Sequence, residues 1–275
     1  MTPTHETVTA HYEVGGLAEK LLDALRAAGK DLEHLAPGDL APLDAFHIRG
    51  RDATRELAAL AKLDASQRVL DVGSGIGGSA RYLASEYGCR VAGIDLTEEY
   101  CRVATLLSER CGLGALTSFR AASALELPFP DASFEVAWTE HVQMNIADKA
   151  RFYTEIRRVL APGGRLLFHD VFRGPGGEPH FPVPWAGDAS ISHLEAPEAV
   201  ARRLQSLGLR QRHWEDVSEK SLAWFRTLLE RFAARGRPPL GLHLLMGADA
   251  TPKFENLVRN LGEARIVVVQ ALYEK

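Results

Sequence analysis

The chain is poor in cysteine, with only Cys89, Cys101 and Cys111 in 275 residues. So few thiols, so widely spaced, exclude a disulfide framework and a zinc knuckle, and no metal site is expected. No stretch approaches the roughly 20 apolar residues that a membrane-spanning helix requires. The segment from Met1 to Tyr12 is polar and has no apolar signal core, so the expectation is a cytoplasmic protein without a membrane partner. Positive charge is not in excess: 32 Lys and Arg stand against 36 Asp and Glu, a formal net charge of -4. A nucleic-acid partner is therefore not expected, because such proteins concentrate basic side chains on one surface. What is present, 46% hydrophobic and 25% charged residues, suits one elaborated domain with a substantial core.

A regular rhythm begins after Gln67. The pattern predicts strands at Arg68–Val72 and Arg90–Asp95, with a glycine turn and a helix at Ser79–Tyr87 between them. A helix at Glu98–Cys111, strands at Thr117–Ala121 and Phe134–Trp138, a helix at Asp148–Leu160 and a strand at Arg165–Val171 follow. This alternation implies an α/β chain with a mostly parallel sheet wound by helices on both faces. Arg173–Ala186, rich in glycine and proline, breaks the rhythm and reads as a loop or lid outside the core. A helix at Ala196–Leu207, a strand at Leu209–Val217, helices at Ser221–Arg235 and Thr251–Leu261, and a last strand at Ala264–Tyr273 complete the reading. Gly236–Pro239 should end the helix at Ser221–Arg235. The expected organisation is a helical cap over residues 1–60 and a ligand-binding core over 61–275, with lid segments near 173–195 and 219–262.

The segment Val69-Leu70-Asp71-Val72-Gly73-Ser74-Gly75-Ile76-Gly77-Gly78 carries the first chemical signal. Gly73, Gly75 and Gly78 satisfy the G-x-G-x-x-G dinucleotide fingerprint, and Asp95 lies about 20 residues on, where a nicotinamide enzyme holds its ribose. The fingerprint alone thus admits an NAD-dependent oxidoreductase. Asp71 separates the readings, because a carboxylate at the mouth of the strand repels a pyrophosphate and attracts a cation. S-adenosylmethionine, with an ammonium, a sulfonium and no phosphate, is such a ligand.

In D-x-G-x-G-x-G, running from Asp71 to Gly77, the chain resembles class I S-adenosylmethionine-dependent methyltransferases. The resemblance extends over residues 67–171. It implies a Rossmann-like doubly wound sheet, mostly parallel with an antiparallel last strand, and S-adenosylmethionine as cofactor. It places Asp71, Gly73, Ser74, Gly75 and Leu96 at the cofactor and Asp95 on its ribose hydroxyls, the favoured role for Asp95 over its alternative as a cap of the helix that follows. Ala122-Ser123-Ala124 looks like the adenine-side loop, with Ser123 and Ala124 where that family often carries an acid. Phe46-His47-Ile48-Arg49-Gly50 and Glu140-His141-Val142-Gln143 resemble the branch of sarcosine/dimethylglycine, sugar O- and terpenoid C-methyltransferases, which act on small molecules. A homodimer through the cap and a cofactor-binding protein without catalysis both stay open.

Ligands of a parallel sheet collect beyond its C-terminal strand ends, which should bring Glu140, His141 and Asp170 into one crevice with Asp71 and Asp95. His141 is the candidate base, since imidazole accepts a proton near neutral pH, and the resemblance to sugar O-methyltransferases makes Asp170 its orienting partner. A scaffold role for both is the alternative. Glu140 is assigned to the cofactor. Trp138 and Trp185 are candidate aromatic walls for substrate or sulfonium, against core packing. His47 and Arg49 could close the site from the cap, with Arg49 able to meet a substrate carboxylate.

Overall fold

The computed structural model describes residues 5–13, 15–236, 238–246 and 249–275. Residues 1–4 and 14 of the expected cap, and 237, 247 and 248 of the second expected lid segment, lie outside the described residues. Four helices come first: α1 (His5–Tyr12), α2 (Leu17–Ala27), α3 (Ala41–Asp44) and α4 (Arg51–Ala61). The chain then runs through β1 (Arg68–Val72), α5 (Gly78–Tyr87), β2 (Arg90–Asp95), α6 (Glu98–Arg110), β3 (Thr117–Ala121) and β4 (Phe134–Glu140). Next are α7 (Lys149–Val159), β5 (Leu160–Arg173), α8 (Pro197–Ser206) and β6 (Arg210–Asp216). The last elements are α9 (Ser218–Arg235), α10 (His243–Met246), α11 (Ala250–Gly262) and β7 (Ile266–Glu274).

The strands form one sheet in the order β3-β2-β1-β4-β5-β7-β6. Strands β1 to β5 pair in parallel, and β7 runs antiparallel to both neighbours, as expected for the last strand. Successive strand residues face opposite sides of a sheet. Val69 therefore belongs to the core cluster that holds Leu57 of α4 and Leu83 of α5, while Leu70 belongs to the cluster on the other face that holds Ile156 of α7 and Leu204 of α8. Being covered on both sides, β1 is almost wholly apolar, and the buried carboxylate of Asp71 is its one exception past Arg68. β4 continues two residues beyond the expected Trp138, which brings Glu140 into the strand. No helix among the described residues is long and apolar enough to cross a membrane.

The cap is tied to the core by apolar packing and by a buried ion pair between an arginine and an aspartate. Leu17, Leu21 and Leu25 form a stripe on α2 that packs with Val103 and Leu107 of α6. Arg81 of α5 is fully buried and donates to the Asp44 carboxylate of α3, and to Ala104 O and Ser108 Oγ at 3.3 Å each. α3 sits so near the start of α5 that a Cβ at Gly78 would lie 2.1 Å from the Asp44 carbonyl oxygen.

The expectation that Arg173–Ala186 lies outside the core is corrected. Beyond Arg173 the segment has little regular structure, yet Val183, Trp185 and Ala186 are buried with Val171 and Val268. Its glycines serve close approach. A Cβ at Gly174 or Gly176 would come within 2.1 or 1.9 Å of the backbone of Glu263–Ala264, and their N–H groups donate to Arg265 O and Ala264 O at 2.8 Å.

Removing one member of a buried ion pair strands the other charge, which costs about 3–5 kcal/mol. Asp44→Ala should therefore lose stability of that order in urea unfolding. A loss below about 1 kcal/mol would show that this pair does not hold the cap to the core.

Candidate active site

The strand order reverses at β1, between β2 and β4, and the crevice beyond its C-terminal end is where an open parallel sheet holds ligands. The backbone of the glycine loop is shaped for that place. Gly73 has φ +73°, and a Cβ on it would meet Val142 Cγ2 at 2.3 Å, so a side chain is excluded by both conformation and space. The N–H groups of Gly73 and Ser74 donate to Ile94 O at 2.8 Å, folding the loop over the end of β2. Gly75 donates to Asp95 Oδ2 and Thr97 to Asp95 Oδ1, both at 2.9 Å. A Cβ on Gly75 would meet nothing within 4 Å, since that residue faces open space.

That space is a cavity of about 270 Å³. Asp71, Asp95, Glu140 and Asp148 line it, and among the described residues no lysine or arginine does. Burial pushes the Asp71 carboxyl well above the usual range, and nearby Glu140 and Asp95 push the same way. Its Oδ2 has no hydrogen-bond partner. Burial also raises Asp95, against the pull of the Thr97 and Gly75 N–H groups. Glu140 is more fully engaged: it accepts from Ser79 Oγ at 2.5 Å, Trp138 Nε1 at 2.9 Å and Thr54 Oγ1 at 3.1 Å, with His47 Nε2 at 3.2 Å. It thereby joins β4, α5 and the cap at one point.

His141 follows β4 with φ +55°, and its ring stacks on His169 with centroids 5.2 Å apart. Burial, then the charges of His169 and His47, hold His141 well below the ordinary imidazole value, so the ring is neutral at pH 7. The Ile48 N–H reaches its Nε2 only at 3.4 Å, a weak engagement. A second cavity of about 290 Å³ adjoins the first, and Phe46, His47, His141, Pro184 and Trp185 line both.

Most sequence-derived candidates meet here. Asp71, Gly73, Gly75, Asp95, Leu96, Ser123, Ala124, Glu140, His141, His47 and Trp185 line the first cavity, and Arg49 lines the second. Three assignments are corrected. Asp170 accepts from the N–H groups of Val142, Gln143 and Val171 at 2.8–3.1 Å, so it shapes the loop after β4 and does not orient the His141 ring. Burial pushes its carboxyl up to about 7 against those donors. Trp138 is wholly buried among Leu57, Ala80 and Leu83 and serves Glu140 through its Nε1. Ser74 turns its buried hydroxyl toward Gly93, away from the cavity.

Several wall residues went unread. Tyr12 of α1 lines the first cavity and donates to Asn145 Oδ1 at 2.8 Å. Thr54 and Ser79 hold Glu140. His169, the partner of Glu140 in the β4–β5 register, was legible from strand parity, because neighbours of Asp170 must face the other way.

Residues 70–168 match the family model for a methyltransferase domain. A glycine/sarcosine/dimethylglycine N-methyltransferase from Actinopolyspora halophila is 30% identical over 66% of this chain and 32% of its own length. Tocopherol O-methyltransferase from Arabidopsis thaliana is 43% identical over 37% of this chain and 29% of its own length. The chain thus spans about a third of the length of these curated relatives. The solved structure of geranyl diphosphate C-methyltransferase from Streptomyces coelicolor A3(2), in complex with Mg2+, geranyl diphosphate and S-adenosyl-L-homocysteine, shares the fold. Its TM-score is 0.72 at 17% identity, covering 99% of this chain and 98% of that one.

The buried carboxylate of Asp71 should weaken the ligand-free fold. A carboxyl raised above its unfolded value near 3.9 binds more protons folded than unfolded, so its contribution to stability falls as pH rises above about 4. Asp71→Asn should melt at or above the parent at pH 7.5 and lose that lead at pH 4. A variant clearly less stable than the parent at pH 7.5 would contradict an unsatisfied charge at this position.

Proposed function

We propose that this chain, whose residues 70–168 match the family model for a methyltransferase domain, binds S-adenosylmethionine in the first cavity and methylates N, O or C of a small molecule in the second. One observation carries the reading: four carboxylates line the first cavity without a lysine or arginine among the described residues. Two like charges about 5 Å apart repel by about 3 kcal/mol at an effective dielectric near 20, so the pyrophosphate of NAD is opposed there. A ligand carrying an ammonium and a sulfonium is attracted. The unpartnered Asp71 Oδ2 and the open face of Gly75 fit such a group.

Asp71 faces the cationic amino-acid end in this assignment. Asp95 takes the ribose hydroxyls, since each carboxylate oxygen keeps accepting capacity after its backbone bond. Ser123, Ala124 and Leu96 wall the adenine. Bound there, S-adenosylmethionine supplies an electrophilic methyl group on a cationic sulfur.

The protein's contribution to the chemistry is alignment and exclusion of water. Trp185 and Phe46, shared between the cavities, narrow the junction where the acceptor atom must stand. His141 lies on that same junction, neutral and weakly engaged, so it can take the proton of a hydroxyl acceptor as the new bond to carbon forms. An amine acceptor can lose its proton to solvent instead. Asp170 acts through the backbone as a positioning residue for the His141 loop.

Calorimetry should show S-adenosylmethionine binding, weakened at least about tenfold in Asp71→Asn, as expected on losing a charged contact. NAD binding more tightly than S-adenosylmethionine would overturn the assignment. With a hydroxyl acceptor found by labelled methyl transfer across a metabolite panel, His141→Gln should cut turnover by about 10²–10⁴ while leaving cofactor affinity within about threefold. Unchanged turnover would remove His141 from the proton path.

A further inference from the structure

The second cavity differs from the first in both polarity and charge. Trp224, Leu228 and Phe232 follow one another at four-residue spacing on α9, and all three are only half-buried while lining the cavity. Leu240, Met246 and Phe254 continue the apolar wall. Among the described residues, the charged ones on the lining are Arg49, Arg51 and Asp52, so cations outnumber anions there, the reverse of the first cavity. Arg51 is committed to Pro37 O and to Asp44, and Asp52 faces Arg55. Arg49 is different. It is buried to 4% exposure and bonded to Glu56 through Nη2, while its Nη1 has no partner. A buried guanidinium N–H left unpaired is costly, and a ligand oxygen that reached Nη1 from the cavity Arg49 lines would satisfy it.

Resting on the methyl-transfer reading, we infer that the acceptor is a largely apolar molecule with an acidic or other oxygen-bearing head, held by Arg49 and the α9 wall. A small zwitterion such as dimethylglycine would lose the hydration of its ammonium among hydrocarbon and arginine, with little apolar surface to bury in return. The volume, about 290 Å³, lies near the lower end of small-molecule sites. It suits a body of one or two rings or a short chain.

The test uses the full chain saturated with S-adenosylmethionine and follows tryptophan fluorescence, since Trp185 and Trp224 line the cavity. The probes are octanoate, 1-octanol and dimethylglycine. Octanoate should bind at least about tenfold more tightly than dimethylglycine. Arg49→Met should weaken octanoate about tenfold and leave octanol within about twofold, the signature of a head-group contact. Phe232→Ser should weaken both apolar probes about tenfold, with Leu228→Ser as a second half-buried variant if the first unfolds. Dimethylglycine binding as tightly as octanoate, no saturable binding of either apolar probe, or variants that leave octanoate unchanged would each overturn the inference. Failure to bind S-adenosylmethionine itself would instead sink the preceding proposal, so the two failures are distinct.

Discussion

Uncompensated negative charge at the end of the sheet is the constraint on which the rest of this structure depends. Asp71, Asp95 and Glu140 stand on three neighbouring strands, β1, β2 and β4, at the point where the strand order reverses. The parallel register of those strands brings the three carboxyls to one cavity, and burial then opposes their ionisation at Asp71 and Asp95. A fold built only for stability would place a lysine or arginine among them. Leaving the charge unsatisfied costs stability that a cationic ligand returns on binding, a common trade at functional sites.

Glu140 couples that cavity to the cap. Its hydrogen bonds to Thr54 and Ser79, with His47 alongside, connect α4, α5 and β4, while the Arg81–Asp44 pair holds α3 against α5. The cap therefore forms part of the site wall, and the two cavities share their boundary because His47 and Phe46 reach both. Across that boundary the charge reverses, from carboxylates on one side to Arg49 and Arg51 on the other. A cationic donor and an apolar, oxygen-bearing acceptor would thereby be sorted into adjoining spaces by electrostatics and desolvation, without moving parts.

The sheet between Arg68 and Ala121 was legible from local pattern because strand alternation, glycine turns and helix periods are short-range signals. Asp71 and Asp95 were legible for the same reason, each being fixed by its strand end. Contacts between residues far apart in the chain were not. Tyr12 reaches Asn145, and Thr54 reaches Glu140, only after the cap has folded onto the core. Strand parity explains the Asp170 correction: with His169 turned toward His141, its neighbour must face the backbone of the next loop. Trp138 has the same history, since its place inside β4 commits it to the core. Arg173–Ala186 misled through composition, because Gly174 and Gly176 are there for close backbone approach rather than mobility.

A cation joining this cavity meets Asp71, whose carboxyl is pushed well above the usual range by burial and by its carboxylate neighbours, so binding should favour its ionised form. Calorimetric titration with S-adenosylmethionine at pH 6, in two buffers of different ionisation enthalpy, counts the protons exchanged on binding. The account predicts net proton release that disappears in Asp71→Asn. Binding with no release, or with release that survives the substitution, would contradict it.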